Sequence, residues 1–226
     1  MANSNKTLPR IAGVLILLQS IIGFLINEVL AGPYTFAKDY LTVVSAHSFE
    51  VTIAMLLGVV DGAISISFAA MLLPIFKKQS EIAAYAFLAF SVLGFMVNAI
   101  DGATMQSLLT LSKEYVSAAN PDAHYFQTMG AVAYATRLWT HLMTLLVACF
   151  PSAVFYYLLF SSRLVPRFIS VWGFISVALM ALAVLLIIFG QGTYMALFLP
   201  MGLNQLVLVG WLIIKGFKNP EPLFNI

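Results

Sequence analysis

Six ionisable side chains, Glu28, Glu50, Asp61, Asp101, Arg137 and His141, fall within stretches of sequence that are otherwise apolar. A charge at the centre of a membrane helix costs roughly 2.5 to 3.5 kcal/mol on insertion scales, which makes each a candidate functional group. Arg137 and His141 are spaced by one helical turn and share a face with Tyr134 and Thr144, drawing a polar stripe along an apolar helix. Glu50 and Asp61, about three turns apart, share a face in the same way. The set offers an anion or carboxylate partner in Arg137 and proton-linked carboxyl groups in Asp101, Glu50 and Asp61. It also offers an acid and base pair in Asp101 and His141.

The elements that must position these groups are membrane helices. The chain has 226 residues, of which 62% are apolar and 9% charged, whereas soluble domains run at roughly 25% charged. Its mean hydropathy is +0.97. Disordered, collagen-like, disulfide-stapled and nucleic-acid-binding classes are excluded because the chain lacks the charge, the glycine period, the cysteines and the basic clusters they require. A helix of about 20 apolar residues crosses roughly 30 Å of hydrocarbon, and six stretches qualify, near 11–30, 49–73, 82–111, 126–160, 168–189 and 196–214. The first is too long for a signal-peptide core and lacks an Ala-x-Ala site, so it reads as a retained span.

The expected fold is an all-α polytopic bundle of six spans. Lys6, Arg10, Lys77, Lys78, Arg163, Arg167, Lys215 and Lys218 fall on one side of it, and Lys38 and Lys113 on the other. This asymmetry places both termini in the cytoplasm. No repeat, low-complexity tract or linker divides the chain, so residues 1–226 read as one transmembrane domain. Asp61-Gly62-Ala63 and Asp101-Gly102-Ala103 recur without matching neighbours and read as coincidence. In the first outer connection Ala37, Tyr40, Leu41 and Val44 follow helical spacing and predict a short surface helix, with Ser45 or Ser48 capping the second span. Asn120-Pro121-Asp122 predicts the start of the fourth helix, and Pro151 a kink within it.

Counting about 1.5 Å per residue from the inner helix ends, Glu28 lies at ~26 Å, Asp101 and His141 at ~28 Å, and Glu50 and Arg137 at ~35 Å. Five groups from four helices therefore share one outer layer. Asp61 lies deeper, at ~18 Å, near Asn204 and Gln205 at ~14 to 15 Å. An outward-open polar cleft narrowing toward the midplane is the expectation. Beside it stands a plainer reading, in which Arg137 and one carboxylate, Asp101 or Glu50, form a structural ion pair. Tyr34, Tyr40, Tyr115, Tyr125 and Tyr134 either line the cleft for an amphipathic molecule or serve packing and lipid contact.

Enzyme signatures are sparse. Neither His-x-x-x-His nor Cys-x-x-Cys occurs, and Arg137 would repel a cation from a centre built of Glu50, Asp101 and His141. His47 and His141 differ in depth by ~11 Å, too far for one haem. Gly-x-Ser-x-Gly, Walker, Rossmann and EF-hand patterns are missing. Cys149, the single cysteine, sits in an apolar run as a small core residue. Arg163 and Arg167 flank Pro166 in a tight inner turn suited to lipid phosphate.

Ser162-Arg163-Leu164-Val165-Pro166-Arg167 followed by Ser170, Trp172 and Gly173 carries a resemblance. So do Glu114-Tyr115-Val116 with Tyr125-Phe126-Gln127-Thr128, and Trp211 through Phe217. With the span pattern, these stretches resemble a bacterial family of small multi-pass membrane proteins known only as a domain of unknown function. The resemblance implies a bacterial cytoplasmic-membrane protein and brings no activity, cofactor or catalytic residue. The reading from sequence is a non-enzymatic protein that binds, senses or translocates a small or amphipathic molecule. Glu28, Glu50, Asp61, Asp101, Tyr134, Arg137 and His141 are its candidate site, membrane lipids its partners, and it takes no metal, cofactor or nucleic acid. A membrane-embedded enzyme using Asp101 and His141, or a metal in the same cleft, is the first alternative, and an accessory membrane subunit the second.

Overall fold

A computed structural model describes residues 4–118 and 123–218, and within them every regular element is helical. Lipid offers no partner for a backbone N–H or C=O, so a chain this apolar satisfies both inside each helix. Helix α1, Ser4–Phe24, passes into a π-helical turn, Leu25–Leu30, and two short helices follow, α2 (Gly32–Thr35) and α3 (Tyr40–Ala46). The long helices are α4 (Ser48–Phe76), α5 (Glu81–Ser117), α6 (Ala123–Ser162), α7 (Arg167–Ile188) and, after a 3-10 turn at Met195–Leu197, α8 (Leu199–Ile214).

Six stretches are long and apolar enough to cross a membrane: Thr7–Thr35, Ser48–Phe76, Glu81–Ser117, His124–Ser162, Arg167–Ile188 and Met195–Ile214. Phe49, Ile82, Phe168 and Ile214 stand exposed on them, as lipid-facing side chains do. The chain is an integral, multi-pass membrane protein. All six expected spans are present, and most outrun their apolar stretch because polar residues at the ends continue the hydrogen-bonded ladder. The short helix expected around Ala37 is α3, which begins at Tyr40 and buries Val44. The expected helix start at Asn120-Pro121-Asp122 lies outside the described residues, and α6 is helical on both sides of Pro151.

The chain divides into two compact units. Unit 1 comprises Met1–Ser20, Ile64–Leu93 and Leu145–Ile226. Its core is a nest of rings: Phe155 lies 5.4 Å from Phe68, 5.6 Å from Phe87 and 6.2 Å from Phe76. Asn204 is fully enclosed there, accepting a 2.6 Å hydrogen bond from the Tyr156 hydroxyl and donating to the Ile169 carbonyl at 2.9 Å. Such interhelical bonds substitute for the hydrophobic drive that lipid removes.

Unit 2 comprises Ile21–Ala63 and Gly94–Thr144 and packs around Val44, Val51, Met105, Leu108 and Leu109. Small residues let α4 and α5 approach. Gly62 faces the Phe95 ring with no room for a Cβ, and the Asn98 amide donates to the Gly58 carbonyl at 2.9 Å. The π turn closes with the Ala31 N–H on the Ile26 carbonyl, while Asn27 donates back to Gly23. Gly32 then presses on the Asn27 carbonyl where any side chain would collide. Among the described residues, unit 1 has eight Lys and Arg against Glu81, and unit 2 three against six acidic residues.

Candidate functional site

The polar stripe on α6 meets α5 inside unit 2. Asp101 accepts a 2.6 Å hydrogen bond from Arg137 Nη1 and a 3.0 Å bond from the Thr140 hydroxyl, both on Oδ1. Its other oxygen, Oδ2, lies 3.9 Å from His141 Nδ1, beyond direct hydrogen bonding and within electrostatic reach. Thr104 and Thr140 join the two helices a second time, their hydroxyls 2.9 Å apart. Arg137 is 1% exposed and Asp101 4%, so the ion pair is withdrawn from solvent and lipid alike. The His141 side chain keeps 20% of its surface and is the open edge of the group.

The segment between the first two spans covers this group with rings. Phe36, just after α2, holds its ring 4.9 Å from Arg137 Cζ and 5.4 Å from the His141 ring. Tyr40, in α3, stacks on Tyr134 at 5.0 Å, and its hydroxyl sits over Gly130, where a Cβ would lie 2.9 Å away. Burial and the neighbouring Tyr134 push the Tyr40 phenol above its ordinary pKa. Tyr34, in α2, lies flat on His47 at 3.9 Å, and His47 Nδ1 reaches Glu50 at 3.5 Å. Ser112 of α5 donates to the Leu41 carbonyl at 2.5 Å, fastening the segment to the bundle.

Three of the candidate groups thus converge as Asp101, Arg137 and His141, and Tyr134 joins them through Phe36 at 6.4 Å. Of the two carboxylates proposed for Arg137, Asp101 holds it and Glu50 does not. Glu50 belongs instead to the half-exposed His47 contact. Glu28 lies exposed in the π turn with no hydrogen bond or ion pair among the described residues. Asp61 on α4 has a buried Oδ1 without a hydrogen-bond partner, as does Arg137 Nε. Among the described residues no three His, Cys, Asp or Glu side chains are gathered to hold a metal ion.

Sequence reasoning missed two participants. Thr140 lies one residue before His141 and three after Arg137, so its place on the stripe was readable from spacing. Phe36 had no such signal, because its position depends on how the chain turns after the π segment.

Residues 11–216 match the family model described as Domain of unknown function (DUF4386). The chain belongs to this family. No curated protein and no solved structure matches it. A guanidinium neutralised by one carboxylate, a partly open imidazole and aromatic rings are thus brought together within unit 2.

Proposed function

We propose that this protein binds a small or amphipathic molecule at the Asp101, Arg137 and His141 group, and senses or carries it through the bacterial cytoplasmic membrane. The observation that carries the reading is a buried ion pair beside a partly open imidazole, His141, against which the ring of Phe36 lies. A pair that only tied α5 to α6 would not need an imidazole at its edge or the ring of Phe36 laid against both Arg137 and His141. Arg137 and His141 supply the head contact, and Phe36, Tyr40 and Tyr134 the apolar walls. Asp61, with an oxygen lacking a partner, suits a proton or polar group moving with the ligand. Both termini face the cytoplasm in this reading, following the distribution of Lys and Arg.

Mass spectrometry of small molecules and lipids retained by the purified protein tests it. A retained amphiphile that is lost in His141→Gln and Phe36→Ala, with the fold intact, is the expected result. Unchanged retention in both variants would overturn it. An enzyme reading draws on the 3.9 Å approach of Asp101 to His141. It predicts a chemically altered product, not an unchanged ligand, when the retained molecule is incubated with the protein.

A further inference from the structure

The geometry points to a binding site for the headgroup of an anionic phospholipid in unit 1, where Arg10, Arg163, Arg167, Lys215 and Lys218 converge. Two hydrogen bonds between distant segments bring them together. Arg10 Nε donates to the Ile213 carbonyl at 3.3 Å, tying α1 to the end of α8. The Lys218 N–H donates to the Leu164 carbonyl at 2.8 Å, tying the chain beyond α8 to the turn between α6 and α7. Gly216, at φ 78°, ends α8 and turns the chain toward that contact.

The turn itself is anchored from below. Leu164 and Val165 are buried, while Arg163 and Arg167 on either side stay exposed. Arg163 has φ 55°, and among the described residues it is the one non-glycine with a positive φ. Arg167 lies 5.3 Å from the Phe160 ring and Lys218 5.7 Å from the Trp211 ring. Among the described residues none of the five cations meets a carboxylate, and Glu81, the one described acidic residue of this unit, is taken by Lys77 at 3.0 Å.

Like charges on segments tied together in this way repel one another, and an anionic headgroup offsets the repulsion. Ile11, Phe168 and Ile214, each next to or one residue from a cation in sequence, are exposed apolar side chains. The surface therefore offers charge for a phosphate and apolar area for acyl chains, and free phosphate uses only the first.

Native mass spectrometry of the full chain, titrated with phosphatidylglycerol, phosphatidylcholine of the same acyl chains and inorganic phosphate, tests the site. Phosphatidylglycerol should bind in preference to phosphatidylcholine, losing about fivefold for each cation removed. Arg163→Gln/Arg167→Gln/Lys218→Gln should erase the preference, and Lys38→Gln/Lys113→Gln should keep it. Retention of the preference in the triple variant, its loss in the control, or equal competition by inorganic phosphate overturns the proposal. Should the triple variant fail to fold, Lys218→Gln alone and the salt dependence of the wild type decide. A preference unmoved by either overturns it too.

Discussion

Arg137 and Asp101 illustrate how cost selects partners. An unpaired guanidinium inside a membrane helix is expensive, and only a carboxylate from another helix compensates it without leaving a charge over. Arg137→Ala should destabilise the detergent-solubilised protein by about 3 to 5 kcal/mol, because it strands a buried carboxylate. Thermal unfolding measures the loss. Adding Asp101→Asn should recover part of it, and strictly additive losses would rule out the pair. Glu50→Gln, at a side chain paired with a half-exposed histidine and not with Arg137, should leave the melting temperature unchanged. Tyr40 carries a pH dependence whose sign follows from its raised phenol pKa. The protonated form is favoured by folding, so the contribution is intact below the unfolded value of about 10. It is lost as pH rises toward the higher folded value. Tyrosinate absorbance of wild type against Tyr40→Phe, followed with thermal unfolding, reads this directly.

Each long helix was legible as an apolar run, and α6 also by its polar stripe, whereas the packing between helices was not. Gly62 and Gly173 carry no periodic signal, yet a Cβ at either would strike the ring of Phe95 or of Tyr156. Gly173→Ala should therefore cost about 1 to 3 kcal/mol by overpacking. Tyr156→Phe should cost a similar amount, about 1 to 3 kcal/mol, by leaving the fully buried Asn204 oxygen without its donor. Thermal unfolding distinguishes both from a Gly210→Ala control, where a Cβ meets nothing within 4 Å. The segment from α2 to α3 makes a different kind of prediction. Phe36→Ala removes the ring over Arg137 and His141, so acylation of His141 by diethyl pyrocarbonate should accelerate while His124 reacts as before. An unchanged rate at His141 would show that Phe36 covers nothing. Apolar spacing foretold α3 because Val44 had to be buried. The π turn escaped because its widening arises where Asn27 and Gly32 meet, a contact without a linear pattern.

Six apolar spans make a membrane protein, and the uneven distribution of basic residues predicts its orientation. Reporter fusions after Lys78, Arg167 and Lys218 should therefore report cytoplasm, and those near Asp39 the outside. An outside location for the turn at Arg163 would reverse the assignment. The outward-open cleft expected from the sequence predicts that cysteine placed at position 61 is labelled from the outside in a cysteine-free background, and labelling from the cytoplasm alone would overturn that expectation. What sequence settles here is whatever one helix decides alone: the number of spans, the membrane environment, and the face shared by Tyr134, Arg137 and His141. Those properties follow from transfer cost and a repeat of 3.6 residues per turn, both local. Tertiary structure alone decides that Asp101 and not Glu50 answers Arg137, that Glu28 stands apart, and that Phe36 covers the group. Pairing across helices depends on how each is rotated against its neighbours. That rotation is set by close approaches, such as Gly62 on Phe95 and Asn98 on Gly58, which no single helix contains.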